Sequence, residues 1–177
     1  MIETERLLIR EFKHSDFESV HGYSGNPQVT KYMPFEPNSI QQAKAFLKQA
    51  IAKQNNPDRT DYELAIELVQ ENKVIGGCRI NKETSIEAHL GFMLNQEYWG
   101  HGFATETAYA LVDYGFNELG VHRIYANCFL DNVASIKILE KLGMVREGRL
   151  REKMMSEGKY HDTYVYGILK HEWKPNR

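Results

Sequence analysis

Between Ile86 and Leu130 the chain changes its hydrophobic period twice, and no other feature limits its fold so tightly. Ile86 to Leu94 reads as a strand. From Ala104 the small and apolar positions are Ala108, Leu111, Val112, Gly115, Phe116 and Leu119, at spacings of 4, 3, 1, 3, 1 and 3, which mark one face of a helix. His122 to Leu130 returns to strand composition. A single strand–helix–strand unit implies one parallel or splayed strand pair. Upstream, Tyr62–Leu68 and Lys73–Ile80 flank a turn at Gln70-Glu71-Asn72 and run straight on to Ile86–Leu94, so the sheet is otherwise antiparallel.

The remaining segments fit around that unit. Leu7–Glu11 is the first strand, and Ser15-Asp16 starts a helix that Gly25-Asn26-Pro27 ends. Ser39 caps a second helix reaching about Lys53. Asp131-Asn132 caps a later helix with the stripe Ala134, Ile138 and Leu142 and a stop at Gly143, followed by strands at Val145–Arg151 and Thr163–Leu169. The class is mixed α+β, with helices packed on a central sheet. At 177 residues the chain is one domain, 1–177, with a core from about 5 to 173.

Composition excludes several functions. Lys and Arg number 22 against 24 Asp and Glu, a net charge of −2, which gives no general attraction to nucleic acid or acidic membrane. No run approaches the roughly 20 apolar residues of a membrane span. The acidic start Met-Ile-Glu-Thr-Glu-Arg has no apolar stretch behind it and predicts no secretory signal. Cys78 and Cys128 read as core residues of a cytoplasmic protein. His14, His21, His89, His101, His122, His161 and His171 form no His-x-His, His-x-x-x-His or Cys/His grouping, so no metal is expected.

The segment at the first period change, between the strand and its helix, is Tyr98-Trp99-Gly100-His101-Gly102-Phe103-Ala104-Thr105. A helix start leaves amide hydrogens unpaired and carries positive potential, and glycines let backbone approach a ligand closely. Such a turn holds a phosphate without a lysine. A dinucleotide fingerprint fails, because its third glycine falls on Thr105 and its distant acid on or near His122. No Gly-Lys-Ser/Thr follows, so a Walker loop is absent.

Together with Asp131-Asn132-Val133-Ala134-Ser135 and Glu140-Lys141-Leu142-Gly143-Met144, this turn resembles the GCN5-related N-acetyltransferase (GNAT) superfamily. Glu5-Arg6-Leu7-Leu8-Ile9-Arg10, Gly91-Phe92-Met93-Leu94 and Gly158-Lys159-Tyr160-His161-Asp162 resemble its RimJ/RimL-type branch more narrowly. The resemblance implies a mostly antiparallel sheet with a splayed parallel pair, and acetyl-CoA bound in the gap between Ile86–Leu94 and His122–Leu130. The pantetheine arm would pair like a short strand with Phe92, Met93 and Leu94, one of whose amides could meet the thioester carbonyl. The pyrophosphate would lie on the turn from Gly100 through His101, Gly102, Phe103 and Ala104 to Thr105. Trp99 stands where the superfamily usually has Arg or Gln.

The resemblance also assigns chemistry. Leu139 occupies the slot of the superfamily's tyrosine acid, and Ser135, one turn earlier, becomes the expected partner of the leaving thiolate. Asn132 would hold a pantetheine amide. Ser135 is equally a first-turn residue able to satisfy backbone amides. Lys137 and Lys141, four apart, either meet phosphates or form a solvated face. Glu87 and Glu152 are the candidate bases, and His89, on the same strand face as Glu87, could serve as well. Tyr32 and Phe35, with His89, are expected at the acceptor, although Tyr32-Met33-Pro34-Phe35 also suits a buried plug. The expected activity is acetyl transfer from acetyl-CoA to a primary amine, favoured as a protein N-terminus of ribosomal type. The alternatives are a polyamine, amino acid or antibiotic amine, or an acyl-CoA sensor without turnover. The resemblance alone makes a homodimer plausible.

Overall fold

A computed structural model of the chain describes residues 1–156 and 158–174. Its strands are β1 (Ile2–Glu3), β2 (Leu7–Glu11), β3 (Asp61–Leu68), β4 (Lys73–Lys82), β5 (Glu87–Leu94), β6 (Arg123–Phe129), β7 (Val145–Ser156) and β8 (Lys159–Leu169). Its helices are α1 (Phe17–Ser24), α2 (Pro27–Thr30), α3 (Ile40–Lys53), α4 (Phe103–Asn117) and α5 (Val133–Lys141). The strands form one sheet in the order β1-β2-β3-β4-β5-β6-β8-β7. Every neighbouring pair is antiparallel except β5 and β6.

That exception follows from α4. A right-handed crossover through a helix returns the chain parallel to where it left. The α4 stripe of Ala108, Leu111, Val112 and Phe116 is buried against Leu7, Ile66, Ile80, Leu90 and Ile124 on one face of the sheet. Gly115 lets the helix sit close, since a Cβ there would lie 2.6 Å from Ile124 Cδ1 and 2.9 Å from Ile80 Cδ1. Trp173 packs back against α4, its ring 4.5 Å from Tyr109 and 6.3 Å from Phe116. The other face carries α1 and α3 over β3 and β4, with Val20, Tyr23, Ala43 and Leu47 meeting Ala65 and Val74. Ser39 caps α3 through a reciprocal pair with Gln42, at 3.3 Å and 2.8 Å. Among the described residues no helix is long and apolar enough to cross a membrane.

Sequence and structure differ where local pattern is weak. β1 and α2 were not expected, being only two and four residues long. α2 instead announces itself by a cap: Asn26 Oδ1 accepts the Gln28 amide at 2.9 Å, with Pro27 at the first helical position. The last two strands run well beyond Val145–Arg151 and Thr163–Leu169. They form one long hairpin whose register slips between Leu150 and Met154. At that bulge Glu152 takes φ 52°. Its amide and the Arg149 guanidinium both bond the Asp162 carboxylate, at 2.8 Å and 2.6 Å. β7 is exposed along most of its length, so no apolar alternation marks it.

Candidate active site

β5 and β6 pair at three positions only: Glu87 with Arg123, Ala88 with Ile124 and His89 with Tyr125. Beyond them β5 stays bonded to β4 through Leu94, and β6 to β8 through Phe129. The strands therefore diverge, and the β6-side edge of β5 past His89 has no strand to satisfy it. A cavity of about 410 Å³ lies at this fork, between the freed end of β5 and α5, the helix that follows β6. Phe92, Met93 and Leu94 form one wall, and Gly100, Gly102, Phe103, Ala104 and Thr105 form its end. Ser135, Lys137 and Lys141 come from α5, Asn132 from its N-cap, and Tyr32 from the loop after α2.

The glycine turn has the expected geometry. Gly100 and Gly102 have φ of 80° and 85°, and Gly102 is the residue capping α4. The first-turn amides of Phe103, Ala104 and Thr105 lie beyond the reach of intrahelical acceptors. These three residues share the cavity lining with Lys137 and Lys141, and no described Asp or Glu lines it. The site suits an anion.

On α5, Asn132 Oδ1 accepts the Ser135 amide at 3.2 Å. Asn132 thus does the capping that Ser135 could have done, and Ser135 is in the cavity wall. Leu139 is 2 % exposed and belongs to the core. Trp99 lines the cavity too, and its indole N–H donates to the Leu94 carbonyl at 2.9 Å, closing off the last acceptor of β5. Tyr32 packs on Phe129 at 5.9 Å and its hydroxyl approaches the Asp131 carbonyl at 3.5 Å, tying the loop to the mouth of the fork.

Other expected residues stand outside the cavity lining. Glu87 is at the paired end, bonded to Arg123 at 2.7 Å, and Arg123 also pairs with Glu147. Glu152 sits on the exposed bulge. The partly buried Phe35 does not reach the lining, and His101 contributes its backbone to the turn while its ring stacks on Phe103 at 6.0 Å. His89 is at the last paired position, on the sheet face opposite α4, with its ring 4.9 Å from Tyr125. Burial lowers its pKa from 6.5, helped by the charges of Arg79 and Lys153 and opposed by Glu83, which favours the neutral imidazole. On that face Arg79 bonds Asp61 at 2.6 Å and Glu63 at 3.3 Å, and the Tyr125 hydroxyl bonds Glu83 at 2.8 Å. Burial pushes the Glu63 carboxyl up, with the Asp61 charge adding to it and Arg79 opposing. Among the described residues no group of three or more His, Cys, Asp or Glu is placed to hold a metal.

Residues 6–145 match the family model described as an acetyltransferase (GNAT) domain. The chain belongs to the GNAT acetyltransferase family. This GNAT protein is 34% identical over 173 residues to the uncharacterized N-acetyltransferase YnaD of Bacillus subtilis, covering 97% of this chain and 98% of that one. A Bacillus anthracis GNAT acetyltransferase structure matches with TM-score 0.85 and 32% identity, over 96% of this chain and 98% of that one. More distantly, the spermidine N(1)-acetyltransferase of Vibrio cholerae is 25% identical, with 95% of each chain covered. The putative ribosomal N-acetyltransferase YdaF of B. subtilis is 31% identical over 50% of this chain and 48% of that one. The GNAT protein is therefore an acetyl-CoA-dependent N-acetyltransferase. Its open β5 edge, its helix-start amides and its two cleft lysines fit an acyl thioester that carries phosphates.

Sequence reasoning missed several wall residues: Gln28, Val29, Met33, Tyr98, Trp99, Ala134 and Ile138. Ala134 and Ile138 were already in the α5 stripe, and spacing alone does not tell a core face from a cleft face.

Proposed function

We propose that this acetyltransferase acts on the α-amine of a protein N-terminus, as in the RimJ/RimL-type branch. The observation that carries the acceptor class is the part of the cavity wall not given to the donor, Gln28 and Val29 of α2 with Tyr32 and Met33 of the loop after it, which is aromatic, aliphatic and amide in character and carries no carboxylate. A polycation gains little there, whereas a single amine on an extended, largely neutral segment meets no charge repulsion beyond the lysines at the phosphate end. The second reading, a polyamine, is favoured by Asp61, Glu63 and Glu83 on the sheet face beside His89. Those carboxylates are already bonded to Arg79 or Tyr125, which reduces what they offer a ligand.

Acetyl-CoA supplies the acetyl group as a thioester. The turn from Gly100 to Thr105, with Lys137 and Lys141, binds phosphates. The Phe92–Leu94 edge orients the pantetheine arm and, through one amide, the thioester carbonyl. Ser135 donates a hydrogen bond where sulfur leaves as thiolate, and Asn132 holds the start of α5 in place. His89 accepts the amine proton, directly or through water, because it is neutral and stands at the fork. Glu87 is less suited, held as it is by Arg123, and Glu152 points from an exposed bulge.

Thiol release from acetyl-CoA decides the acceptor. The assay uses peptides with a free α-amine, the same peptides with that amine blocked, and spermidine. Release with the free peptides and not the blocked ones is expected. Release with spermidine alone establishes the second reading, and saturable acetyl-CoA binding without release on any acceptor overturns both.

A further inference from the structure

The phosphate-turn backbone is held from behind by a side chain that does not line the cleft. Arg6, just before β2, sends its guanidinium across to the start of α4. Nε donates to Glu106 Oε2 at 2.8 Å, and Nη2 lies 2.7 Å from the same oxygen. Nη1 donates to the His101 carbonyl at 3.0 Å. The guanidinium also rests over the Phe103 ring, 4.5 Å from its centre. Glu106 is itself over-determined: the Arg6 amide reaches Oε1 at 3.0 Å and the Thr4 hydroxyl at 2.6 Å. This one carboxylate therefore joins the N-terminal segment to the first turn of α4.

The bond to His101 has a directional consequence. The peptide linking His101 and Gly102 is trans, so its C=O and N–H point to opposite sides. With the carbonyl drawn toward Arg6, the Gly102 amide points away from it. Gly102 lines the cleft and Arg6 does not. Two positive-φ glycines flank His101, so the turn has little torsional preference of its own to hold this orientation.

We propose that Arg6 is a positioning residue for donor binding: from behind the loop it fixes the direction of the Gly102 amide and so presents the turn to phosphate. This rests on the reading that the turn binds the phosphates of acetyl-CoA. A planar fork is needed, because one group must serve a carboxylate and a carbonyl at once; lysine, a single point charge, serves one of them.

The test is calorimetric titration with acetyl-CoA and with acetyl-pantetheine, which lacks the nucleotide and its phosphates. Arg6→Met keeps the aliphatic stem near Phe103 and removes the donors, and Arg6→Lys keeps the charge near Glu106. Both variants should bind acetyl-CoA about tenfold more weakly, the cost of losing a charge-assisted contact, and acetyl-pantetheine as the unaltered protein does. Equal weakening toward both donors, or none toward either, overturns the proposal and leaves Arg6 a fold contact. If the unaltered protein binds the two donors equally, the phosphate reading itself falls and this inference with it. Should Arg6→Met fail to fold, Arg6→Lys carries the same comparison.

Discussion

The same two strands behave oppositely at their two ends. At the paired end of β5 and β6, Glu87, Arg123 and Glu147 form an ion-pair chain and Ala88 is wholly buried. At the diverging end, Phe92 to Leu94 face a cavity instead of a strand. In one place the backbone's hydrogen-bonding capacity is consumed by the fold; in the other it is left for a ligand. The difference teaches that the cleft is not carved by unusual side chains. It results from β6 following β8 and β5 following β4 after three shared positions.

If His89 at the junction is the proton acceptor, removing it should have the largest effect. His89→Gln is expected to lower kcat about 100-fold at neutral pH, in the range for lost general-base catalysis. In the unaltered enzyme the acid limb of the pH–rate profile should lie below 6.5, because burial lowers the folded-state pKa from that value. The same shift means that the unfolded chain binds the proton first as pH falls. His89 therefore adds stability above the unfolded pKa, and that contribution is lost on acidification through the folded one. A variant with an unchanged acid limb would move the base elsewhere.

At the open end, Ser135→Ala should lower kcat about tenfold while acetyl-CoA affinity measured by titration stays the same, since one hydrogen bond to a developing charge is removed. A parallel loss of affinity would make Ser135 a binding group only. At the paired end, Arg123→Met should cost about 1 kcal/mol in denaturant unfolding, because these partly exposed charges are screened by solvent. It should leave acetyl-CoA affinity untouched. If affinity falls with it, the two ends are not independent and the contrast drawn above breaks.

The glycine turn, the α4 stripe and the strand before and after them were legible because each has its own local signature, and they already outline the cleft. What stayed illegible depends on partners distant in sequence. Glu87 reads as a strand-end carboxylate until the register of β5 on β6 sets it beside Arg123. Arg6 carries no local sign that it reaches His101, 95 residues away. The bulge at Glu152 is organised by Asp162 across the hairpin, and no alternation on an exposed strand could mark it.

The bond from the Trp99 indole to the Leu94 carbonyl gives the molecule an optical property as well as a closed strand end. The chain has two tryptophans. One is in the cleft wall and 46% exposed; the other, Trp173, is packed against Tyr109 and Phe116 on the far part of α4. A ligand filling this cavity would change the surroundings of the first and leave the second as a constant background. Intrinsic emission is thus expected to report the filling of this site without a label and without an acceptor.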